Sequence, residues 1–139
     1  MYYTDAALQP ITVGDCLVYG SARGEISFGI ITKFDELLSP PQFFRGEDPR
    51  ERGDRMPYAS QQHKQYPGRH SFPVRYVRHP DGSVECQWAP DWAYRVQVQR
   101  LAPPGERYPN SKGLSWLSFP SRIAKIPVPE WARDQVLGA

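Results

Sequence analysis

Residues 13–34 read VGDCLVYGSARGEISFGIITKF, and this stretch limits the fold more than any other part of the chain. Val13-Gly14-Asp15 is turn chemistry, Cys16-Leu17-Val18-Tyr19 is a short β-branched and aromatic run, and Gly20 and Gly24 bound the reversal that follows. Glycine accepts the positive φ that a tight reversal demands, so the expected structure is a hairpin. In the return run a period of two places Phe28, Ile30, Thr32 and Phe34 on one face and Gly29, Ile31 and Lys33 on the other. Gly29 marks an expected bulge or bend. Fifteen prolines in 139 residues act in the same direction, because proline breaks helix interiors and ladder bonds. An all-β domain of short strands is expected.

Further along, Val74-Arg75-Tyr76-Val77-Arg78 alternates, Pro80-Asp81-Gly82 is a turn, and residues 83–88 alternate again. A second hairpin is predicted, with Val74, Tyr76, Val84, Cys86 and Trp88 on one face. Residues 93–101, AYRVQVQRL, point Tyr94, Val96 and Val98 inward and Arg95, Gln97 and Gln99 outward. Residues 114–119 and 123–128 supply more strand, and residues 130–137 a short helix after Pro129. One domain spans residues 1–139, with an N-terminal arm at 1–11, the first hairpin at 12–34 and an insertion loop at 35–73. The other strands lie in 74–128 and a helix or tail in 129–139.

The VGD turn, short strand, glycine turn and GIITKF run resemble the opening of SH3-like small β-barrels of the KOW and Tudor type. The resemblance covers residues 12–34 and, more loosely, the strands after Pro73. It implies a small antiparallel barrel with a long insertion after the second strand and a short C-terminal helix; a strongly bent β-sandwich is the alternative. Such families bind RNA, DNA or peptides along one barrel edge, and their aromatic-cage positions do not map onto residues here. Proline-rich loops around one compact unit also resemble, in style, the accessory proteins of tailed bacteriophages. That style implies a modulator of a host protein or a self-assembling subunit, acting in the host cytoplasm.

Catalytic and metal motifs are absent from the sequence. His63, His70, His79, Cys16 and Cys86 lack the short paired spacings of zinc sites, and no nucleophile signature flanks either cysteine. The two cysteines fit one disulfide or two buried thiols, and cytosolic residence, taken by default, favours thiols. Gly20 and Gly24 lack the Lys-Ser/Thr of a phosphate loop. No enzyme, cofactor or metal is therefore expected, and no apolar stretch long enough to span a membrane is present.

Two surfaces stand out. Residues 56–79 carry Lys64, Arg69, Arg75 and Arg78 interleaved with Tyr58, Tyr66, Phe72 and Tyr76, without one Asp or Glu. Cations for phosphates and rings for bases suit single-stranded nucleic acid, and Arg95, Arg100, Arg122 and Lys125 would extend that surface. Against this, the net charge is only +2. The aromatic content, four Trp, eight Tyr and six Phe, exceeds what a small barrel core encloses. Phe43, Phe44, Tyr58, Tyr66 and Trp92 are the candidate anchors for a protein partner. A non-catalytic protein-binding module is the expected function, with nucleic-acid binding as the alternative and self-assembly as the third reading.

Overall fold

A computed structural model describes residues 2–20, 24–37, 44–45, 61–62, 70–90, 93–105, 113–117 and 122–137. Among these residues eleven strands follow one another: β1 Tyr2–Thr4, β2 Pro10–Ile11, β3 Cys16–Gly20, β4 Ile26–Glu36, β5 Phe44–Arg45, β6 Gln61–Gln62, β7 His70–Arg78, β8 Val84–Pro90, β9 Tyr94–Leu101, β10 Leu114–Leu117 and β11 Ile123–Ile126. A 3₁₀ turn at Glu130–Ala132 runs into the short helix α1, Arg133–Leu137. The strands form two antiparallel sheets, one ordered β2-β1-β7-β8-β5 with β6 also on β7, the other β10-β9-β4-β3-β11. The all-β expectation holds. Neither strand order returns to its first member, so among the described residues these are two open sheets and not a closed barrel.

The stretch read as a 35–73 insertion also differs in its detail. Strand β4 runs on to Glu36, β7 begins at His70, and β5 and β6 pair with β8 and β7. Both expected hairpins are present as β3–β4 and β7–β8.

The faces of β4 depart from a strict period of two, and the cause is a bulge. Ile31 pairs with Val98 and Lys33 with Gln97, leaving Thr32 as the extra residue. The Thr32 hydroxyl donates to the Gln97 carbonyl at 3.1 Å and lies 2.9 Å from Gln97 Oε1. One extra residue resets the alternation, so Ile31 and Phe34 both pack into the core between the sheets. Gly29 does not make the bulge. It is a point of close approach, where an added Cβ would lie 2.8 Å from Val98 Cβ. In β7 a second shift, between Pro73 and Arg75, leaves Val74 as the extra residue. Val74, Tyr76, Cys86 and Trp88 are buried as expected, whereas Val84, beside the turn, is 40% exposed.

The core joins Ile11, Leu17, Tyr19, Ile31, Val96, Val98 and Ile123, and Tyr3 and Phe34 link it to Val74, Ala89, Ala93 and Tyr94. Residues Tyr94, Val96 and Val98 point inward as their alternation predicts. On the outer face of the second sheet, Phe28, Ile30, Cys16, Leu101 and Ile126 lie under Trp131, Ala132 and Val136. Gln135 pins this C-terminal cover: its Oε1 accepts the Ala102 N–H at 2.7 Å and its Nε2 donates to the Ala102 carbonyl at 2.9 Å.

The N-terminal arm is built into the fold through Asp5, which is 0% exposed. Its carboxylate accepts the backbone N–H groups of Ala7, Gln9 and Lys125 at 3.0, 2.8 and 2.7 Å, and Gln9 Nε2 at 3.2 Å. The loop it closes holds Leu8 at φ 62°, an uncommon conformation for a side-chain-bearing residue. Packing of Leu8 against Tyr76, Cys86 and Trp88 offsets that strain.

Candidate functional site

The cover formed by α1 and its 3₁₀ turn reaches one end of the second sheet's outer face, and a different chemistry occupies the other end. There Trp116 of β10, Gln97 of β9 and Lys33 of β4 lie opposite one another in a row across three strands. In the adjoining row Arg95 of β9 pairs with Asp35 of β4. The Arg95 guanidinium carbon sits 3.9 Å from the Trp116 ring centroid and the Lys33 ammonium 5.1 Å from it. Asp35 Oδ2 accepts from Arg95 Nη2 at 3.2 Å. Leu114 lies on the same face of β10 and is 59% exposed.

Stacking on the indole removes Arg95 Nε from water, and this atom has no hydrogen-bond partner. A desolvated donor costs free energy, which the attraction of the guanidinium to the ring quadrupole offsets. Lys33 forms no ion pair among the described residues, so among them Asp35 answers only one of the two positive charges beside the ring.

A second polar cluster joins the two sheets. Tyr3 of β1 stacks on Phe34 of β4, with centroids 4.8 Å apart, and lies 4.4 Å from Tyr94 of β9. Its hydroxyl donates to Glu36 Oε1 at 2.5 Å, and Arg75 Nη1 donates to the same oxygen at 2.7 Å. Arg75 Nε in turn donates to Gln87 Oε1 at 2.9 Å. Burial, aided by the hydrogen bond to Glu36, raises the Tyr3 phenol well above its usual range, and burial raises Tyr94 further.

These shifts set an alkaline limit on the fold. Burial pushes the Cys16 thiol up to about 11, and Tyr19 is also raised by burial. In each case the folded state holds its proton to higher pH than the unfolded chain, whose thiols and phenols titrate near about 8.5 and 10. Their stabilising contribution is complete below the unfolded values and is lost as pH rises toward the folded ones. Urea midpoints are expected to be level between pH 7 and about 8.5, then to fall steadily through pH 10.5; a midpoint that rises over that interval would contradict the assignment. Replacing Tyr3 with Phe removes one charge-assisted hydrogen bond and is expected to cost about 1–2 kcal/mol in the same titration at neutral pH.

Of the residues singled out in the sequence, Phe43, Tyr58, Tyr66, Trp92, Lys64 and Arg69 lie outside the described residues, and Phe44 is described only as the backbone partner of Trp88. Arg75 has a side chain 14% exposed and is engaged with Glu36. It serves the contact between the sheets and is poorly placed to meet a phosphate. Arg78 is exposed at the end of β7, opposite Val84. Both cysteines are buried thiols, in separate clusters. The raised pKa of Cys16 is opposite to what an activated nucleophile requires. His79 Nε2 lies 2.9 Å from Glu85 Oε2, and no three His, Cys, Asp or Glu side chains gather as metal ligands among the described residues.

Alternation in residues 93–101 places Arg95 outward, but Lys33 and Trp116 join it only through the register of three strands. Fold and surface together define an all-β chain of two antiparallel sheets with a cation-flanked tryptophan on an outer face. Comparison with protein-family models, with curated proteins and with solved structures finds no match. No helix among the described residues is long and apolar enough to cross a membrane.

Proposed function

We propose that the chain is a non-catalytic interaction module that binds a protein partner through the uncovered end of the second sheet's outer face. The observation that carries this reading is Trp116, held by Arg95 at 3.9 Å with Lys33 and the exposed Leu114 beside it. Tryptophan and arginine dominate binding energy at protein interfaces, and a ring already fixed by its neighbours loses little freedom on docking. Nucleic acid is served less well. A guanidinium stacks on the indole, which bars one ring face to bases, and Asp35 and Glu36 compete with phosphates for Arg95 and Arg75.

The finer resemblance, to an SH3-like barrel, is supported by the β3–β4 hairpin and the bulge that bends β4. It is proposed for residues 12–34. A phage-encoded modulator of a host protein, in the cytoplasm, is one form such a module takes, and a subunit joining identical copies is another.

Affinity capture from native host lysate, with and without nuclease, on the wild-type chain and on Trp116→Ala, tests the proposal. A protein retained by the wild type at moderate salt and lost with Trp116→Ala is the expected result. Equal retention by both overturns it, and retention that disappears with nuclease transfers the function to nucleic acid.

A further inference from the structure

Resting on the protein-binding reading, we infer that the free edge of β10 receives an extended segment of the partner as an added strand, with an acidic side chain placed beside Trp116. The inference begins with one hydrogen bond. The Arg100 N–H bonds the Gly113 carbonyl at 3.3 Å, and the register continues as Leu114↔Gln99, Ser115↔Val98, Trp116↔Gln97 and Leu117↔Val96. Bonded and non-bonded pairs alternate in an antiparallel ladder, so Ser115 and Leu117 direct their backbone groups to β9. Leu114 and Trp116 therefore direct their N–H and C=O groups away from it. Among the described residues no strand lies on that side, because β10 ends its sheet.

An exposed edge of this kind is a template for another chain. An antiparallel segment bonded to Leu114 and Trp116 would set two of its side chains, two residues apart, on the outer face. The first lies next to Trp116, where Arg95 and Lys33 converge and Lys33 has no ion pair among the described residues. A carboxylate answers that charge. The second lies next to Leu114, whose 59% exposure calls for an apolar neighbour. Read from its N-terminus, the fitting segment is acidic-x-apolar in extended conformation. A second copy of this chain fits less well, since β10, LSWL, brings no acidic side chain to Lys33.

Proline separates edge pairing from folding at this site. In Leu114→Pro the lost N–H is one that β9 does not use, so the sheet is expected to persist with its edge closed; in Ser115→Pro the lost N–H is a ladder bond, and stability falls. The probe is a fluorescein-labelled peptide, TVTEVLTVT, with a lysine-for-glutamate version, followed by fluorescence anisotropy on the folded proteins. Saturable binding of the glutamate peptide, weakened by salt, about tenfold weaker for Leu114→Pro, and both weaker and less salt-dependent for Lys33→Gln, is the expected outcome. Equal binding of the lysine peptide, or undiminished binding by folded Leu114→Pro, overturns the inference. So does a sedimenting dimer that Leu114→Pro dissolves, which would make a second copy the occupant. A captured partner lost with Trp116→Ala but kept by Leu114→Pro leaves the binding module standing and removes only the edge. Retention of such a partner by both variants removes both readings.

Discussion

Asp5→Ala is expected to destabilise the chain by about 4 kcal/mol, a large part of the roughly 5–15 kcal/mol available to a domain of this kind. The buried carboxylate accepts three backbone N–H groups and one side-chain amide. Truncation leaves those part-buried donors without their acceptor, and each donor left unsatisfied out of water costs about 1–3 kcal/mol, partly relieved by water and by relaxation of the loop. Asp5→Asn keeps an acceptor of the same shape but turns an amide toward donors, and is expected to fall between wild type and alanine. Urea denaturation of the three proteins measures this. A loss below about 1 kcal/mol for Asp5→Ala would mean that the arm is not anchored through this residue. The Lys125 bond, together with that from the Ala6 N–H to the Ile123 carbonyl, ties the arm to β11.

Gly29→Ala carries the second large effect. Its Cβ would meet Val98 Cβ at 2.8 Å, Val98 Cγ2 at 3.0 Å and the Gln99 carbonyl oxygen at 3.2 Å. Two of these contacts are with atoms at or next to the β9 backbone, in the centre of a sheet where neighbouring strands resist displacement. Overpacking of this sort costs about 1–3 kcal/mol, and the central position argues for the upper end. Restoring space with Val98→Ala in the Gly29→Ala background is expected to recover part of the loss, so the two changes should be non-additive in a double-mutant cycle. Simple additivity would show that the penalty lies in the contacts with Val98 Cβ and the Gln99 carbonyl oxygen, which alanine at position 98 leaves in place.

How far the fold can be read from residues alone depends on where the alternation is interrupted. Residues 94–98 run without a bulge, so their inward and outward sides are legible as written. Strand β4 is not, because Thr32 carries no mark that it will be the extra residue; its role follows from pairing with β9. Gly29 is a genuine signal with two meanings, bulge or close approach, and only the neighbouring Val98 decides between them. Nothing within the N-terminal arm marks Asp5 as its anchor, since its decisive partner lies 120 positions away. The same holds for the candidate surface. Trp116, Arg95 and Lys33 are each visible as residue types suited to an interface, yet they meet through a strand order, β10-β9-β4, that local pattern does not encode. Arg75 shows the reverse case: it looks like a phosphate contact until Glu36 and Tyr3 are placed beside it.

The most direct test of the binding surface is amide-shift mapping of the ¹⁵N-labelled chain as its captured partner is added. The proposed interface predicts perturbed amides concentrated at Lys33, Asp35, Arg95, Gln97 and residues 114–117, with little change at the C-terminal cover around Trp131. Perturbations centred instead on β7 and β8, or spread over Trp131 and α1, would contradict it and place the partner elsewhere.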